Sequence, residues 1–131
     1  MTYSALATTD DLAETLITKV NENARTERFL NVATKTSTFT VFADDAVGSP
    51  KDIYLVTTSS SAVSANLPAA SATYLGRVVT IFKADSGGGA VTIDGNASET
   101  INGATTVALS SQYHYRTIVC DGSNWLVISS S

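Results

Sequence analysis

The chain has 131 residues, a length that suits one domain, and 44% of them are hydrophobic, enough for a core. Charged residues make up 15%, below the roughly 25% of an ordinary soluble domain. The net charge of −4 argues against a nucleic-acid partner, because neutralising phosphates requires a basic face. Ser and Thr supply more than a quarter of the chain, so its surface rests on uncharged hydroxyls, which repel other copies weakly.

Targeting and redox signals are missing from the sequence. Residues 1–20 are polar and acidic, without the apolar core of a signal peptide. No apolar run approaches about 18 residues, so we expect no membrane partner. The single cysteine, Cys120, excludes an internal disulfide and a multi-cysteine zinc site, and its apolar surroundings favour a buried, inert thiol.

Residues 1–35 contain the helical pattern of the chain. Asp10 offers an N-cap oxygen, and an apolar stripe with helical spacing follows it. The stripe consists of Leu12, Leu16, Ile17 and Val20. A helix of this length is marginal alone in water. We therefore predict a short N-terminal α-helix that serves as an attachment and assembly segment, with this stripe as the assembly interface.

Residues 36–131 change to short β-rich runs separated by turn residues. The predicted strands are 38–43, 52–58, 62–67, 76–84, 90–94, 98–101, 104–109, 112–120 and 123–129. Asp121-Gly122 indicates a hairpin between the last two strands, and Ser86 to Gly89 suggests a flexible loop. The pattern predicts an all-β fold: a single β-sandwich or jelly-roll-like domain of about eight or nine strands.

Alternating apolar positions within these strands predict the core. The candidates are Ile53, Leu55, Val79, Ile81, Val91, Ile93, Ile118, Leu126 and Ile128. Tyr113, Tyr115 and Trp125 fall on neighbouring predicted strands and leave two interpretations open. They could form an exposed platform that stacks on sugars, or Trp125 could belong to the core or to a subunit interface, which we favour.

A search for catalytic residues finds none that we would assign. His114 is the single histidine, and nothing resembles a nucleophile elbow. The carboxylates of Asp85, Asp94 and Glu99 lie in turns, where acidic residues are expected for turn reasons alone. The stretch from Asp94 fails the calcium-loop pattern, because Glu99 stands where glycine is required and Thr105 where glutamate is required. We predict no enzyme, no cofactor and no metal site.

The ordered string from residue 67 resembles a known β-domain. It runs Leu67-Pro-Ala-Ala-Ser, Gly76-Arg-Val-Val-Thr-Ile-Phe-Lys-Ala-Asp-Ser, Val91-Thr-Ile-Asp, Glu99-Thr-Ile-Asn-Gly, Leu109-Ser-Ser-Gln-Tyr and Asp121-Gly-Ser-Asn-Trp-Leu-Val-Ile. The stretch 52–129 is similar to modules of tailed-bacteriophage structural proteins: C-terminal modules of tail fibres, head fibres and capsid decoration proteins. The resemblance implies a homotrimer without catalytic residues.

The resemblance leaves the position on the virion open. The short segment before the β-domain favours a capsid decoration (cement) or head-knob protein over a fibre with a long shaft. The expected protein is made in the host cytoplasm, lies on the capsid surface, and binds itself and the major capsid protein or another virion protein. The alternative is a receptor-binding fibre tip or adhesin that recognises host-surface glycans through loops such as 85–90. A polysaccharide-degrading spike has little room in this length.

Overall fold

The computed structural model describes residues 29–43, 45 and 50–131. The chain divides into two compact units, residues 1–30 and residues 31–131. The predicted helix and its stripe of Leu12, Leu16, Ile17 and Val20 lie outside the described residues. None of the described residues belongs to a helix that is long and apolar enough to cross a membrane.

The described residues are all-β and contain nine strands. These are β1 (Val32–Lys35), β2 (Phe39–Thr40), β3 (Ile53–Val56), β4 (Val63–Asn66), β5 (Val78–Lys83), β6 (Val91–Asp94), β7 (Thr106–Leu109), β8 (Tyr115–Cys120) and β9 (Trp125–Ser130). β1 was not predicted: it lies within residues 1–35, before the predicted start of the β-domain at residue 36. The expected strand 98–101 is not one, and Ile101 makes isolated bridges instead.

The strands form two mixed sheets. The five-stranded sheet has the order β1-β3-β5-β8-β9, and the four-stranded sheet has the order β2-β4-β6-β7. From β1 to β6 successive strands alternate between the sheets, so the chain winds three times around a common core. Strands from successive turns pair in parallel: Val32 with Ile53 and then Thr80 in one sheet, and Phe39 with Ala65 and then Ile93 in the other.

Parallel winding corrects the jelly-roll part of the expected fold, because jelly rolls are built from antiparallel strands. Each parallel pair needs a crossover connection. Here the crossover is the strand that the chain places in the opposite sheet. Only the last three strands pair antiparallel: β7 with β6, β8 with β5, and β9 with β8.

The predicted hairpin between β8 and β9 is confirmed. Gly122 has a φ of 97°, a conformation that glycine adopts without strain. The Asp121 carboxylate accepts hydrogen bonds from the amides of Ser123 at 2.9 Å and Asn124 at 2.7 Å. Donation from Asn124, and then from Ser123, lowers the pKa of Asp121 below its usual value.

The core lies between the two sheets and confirms part of the predicted set. Val79, Ile81, Val91, Ile93 and Ile118 are buried, as are Cys120 and Trp125. Four predicted core residues are not buried: Leu126 and Ile128 are exposed, and Ile53 and Leu55 are half-buried.

The predicted inward-facing residues of β3 and β9 were wrong for a physical reason. The runs Ile53-Tyr-Leu-Val and Trp125-Leu-Val-Ile are apolar throughout, so alternation does not show which residues point inward. Tyr54 and Val56 of β3 and Trp125 of β9 are the buried residues. A β-bulge between Thr117 and Ile118 pairs Ile118 with Val127 and leaves Ile128 without a ladder partner.

Candidate assembly surface

The inner row of β5 ends in a charged residue. Lys83 follows the buried Ile81 in this row, and its side chain is fully buried. Its ammonium nitrogen lies 2.7 Å from Thr58 Oγ1, 3.0 Å from Asp85 Oδ1 and 3.0 Å from the carbonyl oxygen of Gly87. These three contacts use all three protons of the ammonium group.

The Asp85 carboxylate also accepts hydrogen bonds from backbone groups. It accepts hydrogen bonds from the backbone N–H groups of Thr58 at 3.1 Å, Ser59 at 2.8 Å and Gly87 at 3.2 Å. The Thr58 amide, followed by the Lys83 ammonium, holds the pKa of Asp85 far below its usual range. Donors that bind the ionised form more strongly than the neutral acid produce such a shift.

The two groups join the β3–β4 loop to the β5–β6 loop. We call Thr58, Ser59, Lys83, Asp85, Gly87 and Gly89 the loop cluster. The Thr58 hydroxyl donates to the Gly89 carbonyl at 2.8 Å. A Cβ at Gly87 would collide with the Ser59 carbonyl, and a Cβ at Gly89 with the Ser61 carbonyl. Two glycines of the loop that we expected to be flexible are therefore required by close backbone packing.

The loop cluster has a structural role, since its charged atoms already have partners within the chain. The other two carboxylates considered for catalysis do not join it. Glu99 accepts a hydrogen bond from the amide of Ala70 at 2.8 Å, and Asp94 ends β6. Among the described residues, no three His, Cys, Asp or Glu side chains come together as a group that could hold a metal ion.

The outer face of the five-stranded sheet is uncharged across the strand positions that the structure describes, and most of its side chains there are apolar. Alternation, register and burial place twelve side chains on this outer face: Val32, Thr34, Ile53, Leu55, Val78, Thr80, Phe82, Tyr115, Thr117, Val119, Leu126 and Ser129. Val78, Val119 and Leu126 form one row across three strands. Sheet faces exposed to water usually carry polar side chains, so this composition needs an explanation.

The outer face of the four-stranded sheet has a different composition. It carries Thr40, Ser64, Asn66, Thr92, Asp94, Thr106 and Ala108. Its apolar residues, including Val91 and Ile93, point into the core. This sheet therefore has the polar-out, apolar-in pattern of a solvated sheet, and the two outer faces differ in chemistry.

The aromatic residues separate into two environments. Trp125 is fully buried, which confirms the interpretation that we favoured, and its Nε1 has no hydrogen-bond partner among the described residues. Tyr113 is 63% exposed, and its ring centroid lies 6.1 Å from that of Phe82. Tyr115 stacks on the same Phe82 ring at 6.4 Å. A sugar platform that includes Trp125 is therefore excluded.

Neither the loop cluster nor the mostly apolar outer face was predicted from the sequence. The loop cluster had a sequence signal: Lys83 occupies the inward phase of Val79 and Ile81, and Asp85 follows two residues later. The outer face also had a sequence signal, because continuous apolar runs are typical of strands that are buried on both faces. We read those runs as half-buried strands. No protein-family profile matches the chain, and no curated protein sequence matches it significantly.

Proposed function

We propose that this chain is a structural protein of a tailed-bacteriophage virion: a homotrimeric decoration (cement) or head-knob protein that binds and stabilises the capsid surface. In this proposal the two sheets form a β-sandwich domain, and the segment before it contributes to attachment. The ordered similarity to phage structural modules supports the proposal, as does the low charge of the chain.

The observation that carries the proposal is the outer face of the five-stranded sheet, which is uncharged and carries mostly apolar side chains where the structure describes it. Exposed apolar patches of this kind mark interaction sites on soluble proteins. The buried Lys83 and its partner Asp85, by contrast, are engaged in joining loops and leave little chemistry for a substrate. A protein whose surface is built for contact and whose charged groups hold its own loops is suited to assembly.

The test uses phage capsids assembled without this protein. Purified protein is added, and bound copies are counted by quantitative mass spectrometry and located by cryo-electron microscopy. A decoration protein should saturate at many copies distributed over the capsid lattice and should raise the temperature at which capsids break. No binding, or binding at a single vertex without effect on capsid stability, contradicts the decoration function.

Tyr113 favours one alternative, a receptor-binding fibre tip that recognises host glycans. Its exposed ring beside Phe82 resembles the aromatic surfaces on which sugars stack. A glycan array probed with the wild-type protein and with Tyr113→Ala tests this alternative. Glycan binding that is lost in the variant supports the adhesin, and the absence of glycan binding contradicts it.

A further inference from the structure

We infer that the outer face of the five-stranded sheet is the surface through which copies of this chain bind one another. The inference rests on the proposed homotrimer and assigns the contact to a surface. In a threefold assembly the five-stranded sheets would surround the axis, with the central strand β5 of each copy closest to it.

Strand composition is the first argument. β3 reads Ile-Tyr-Leu-Val, and β5 begins Val-Val-Thr-Ile-Phe. Continuous apolar runs are typical of strands that are covered on both faces. The core covers one face of these strands, through Tyr54, Val56 and Ile81. The other face holds Val78, which is 38% exposed, and the half-buried Leu55 and Phe82; the structure describes no second sheet over it.

The hydroxyl groups of the outer face supply the second argument, because four of the five in the described strands are already paired with each other. Thr80 Oγ1 and Thr117 Oγ1 lie 2.8 Å apart on adjacent strands. The Tyr115 hydroxyl lies 3.3 Å from Ser129 Oγ. A hydroxyl that enters an interface without a partner carries a desolvation cost, and a paired hydroxyl avoids most of it. The face can therefore be dehydrated at low cost.

The absence of charge on this face favours a second copy as the partner. Near a symmetry axis each side chain meets its own counterpart, so a charged residue would face a like charge. None of the side chains that the structure places on this face is charged. The outer face of the four-stranded sheet, by contrast, carries Asp94. A partner of different sequence would put no such restriction on the face.

The extent of the face sets how much area the described strands can bury between copies. Five strands at about 4.8 Å spacing, each up to six residues long at about 3.3 Å, span roughly 20 Å in both directions. The flat footprint is therefore roughly 400 Å² per copy, about half of the roughly 800 Å² that each partner buries in a standard stable interface. Side-chain relief increases the accessible area, and a trimer contributes three such faces.

The experiment places a charge on β5, the strand nearest the proposed axis. Val78→Glu lies on the central strand β5, where the wild-type side chain is 38% exposed. The matched control is Ala108→Glu, at an exposed strand position on the opposite sheet. Mass is measured by light scattering with size-exclusion chromatography. We expect three times 13.7 kDa for wild type and control, and a single chain mass for Val78→Glu with unchanged β-type circular dichroism.

A second pair of variants keeps the test decisive if Val78→Glu does not fold. Val78→Cys and Ala108→Cys are labelled with a maleimide reagent in the assembled protein, in which the native Cys120 is buried. Position 78 should react at least about tenfold more slowly than position 108, a factor that corresponds to about 1.4 kcal/mol of protection. Equal labelling rates overturn the inference.

The possible failures can be told apart. If wild type is a trimer and Val78→Glu remains one, the surface is wrong while the proposed homotrimer stands. If wild type is a monomer over the whole concentration range, the homotrimer and this surface both fail. Attachment to capsids is measured separately, so the decoration function is judged on its own result.

Discussion

The Nζ atom of Lys83 lies 3.0 Å from Oδ1 of Asp85, and the two residues differ sharply in exposure: the Lys83 side chain is fully buried, whereas 23% of the Asp85 side chain is exposed. The pair closes the end of the core, where β5 leaves the sheet. Its members should therefore respond differently to removal, since a buried charge without a partner is far more costly than a partly hydrated one.

Asp85→Ala should lower the melting temperature more than Lys83→Met. The first variant leaves an ammonium group in the core without its counter-ion, and it also removes the acceptor of three backbone amides. The second leaves a carboxylate that still has those amides and water. Thermal melts of both single variants and of the double variant test this order. Equal losses, or a larger loss for Lys83→Met, would contradict it.

Stability should fall in acid because the fold lowers the pKa of Asp85 and Asp121. A carboxyl group whose folded pKa lies below its unfolded value of about 3.9 stabilises the fold fully above that value. The stabilisation is lost as the pH falls from there toward the folded pKa. Urea unfolding at several pH values should therefore show a decline below about pH 4. Asp85→Asn should flatten that decline; an unchanged slope would show that other carboxyl groups cause it.

Gly87→Ala and Gly89→Ala should each lower the free energy of unfolding by about 1–3 kcal/mol, the usual cost of forcing atoms into a packed site. Each added methyl group meets a backbone carbonyl of the β3–β4 loop. Gly88→Ala is the matched control, because a Cβ there meets nothing within 4 Å. It should be neutral or should stabilise by up to about 1 kcal/mol by restricting the unfolded chain. Equal losses at all three positions would indicate that loop flexibility, not close packing, requires the glycines.

Ile81→Ala should cost about 2–5 kcal/mol in unfolding free energy, because it leaves a cavity in the shared core. Ile128→Ala provides the comparison: its side chain is 57% exposed and has no ladder partner, so the change should stay within about 0.5 kcal/mol. Chemical denaturation of both variants measures the difference. A loss below about 0.5 kcal/mol at position 81 would show that the inward phase of β5 is wrong.

Two N-terminal deletions separate the proposed assembly segment from the β-domain. Removal of residues 1–30 leaves all nine strands, so the remainder should fold with β-type circular dichroism while capsid attachment or trimer stability weakens. Removal of residues 1–35 also takes β1, and with it the hydrogen bond from the Asn31 amide to Asp52. The longer deletion should therefore be less stable than the shorter one. Wild-type attachment after the shorter deletion would assign the capsid contact to the β-domain itself.

The sequence by itself determined where most strands lie and how they end. Eight of the nine strands fall within or next to predicted segments, because β-branched residues and Asx-Gly turns act locally. The β8–β9 hairpin followed from Asp121-Gly122, whose turn chemistry is contained in two adjacent residues. β1 was missed because Val-Ala-Thr-Lys has weak alternation and lies inside residues 1–35, the segment assigned to the helix and to attachment.

Only the tertiary structure decided how the strands pair and which way they face. Parallel pairing of Val32, Ile53 and Thr80 joins residues far apart in the chain, and no local signal specifies such partners. The phase of Trp125 and Leu126 depended on their pairing with Cys120 and Val119 of β8, the strand beside β9 in the sheet. The loop cluster required two loops to meet, so the role of Lys83 became visible only when the β3–β4 loop lay beside it. Local propensity acts within a few residues, whereas pairing, phase and the burial of a charge depend on contacts that exist only in the folded chain.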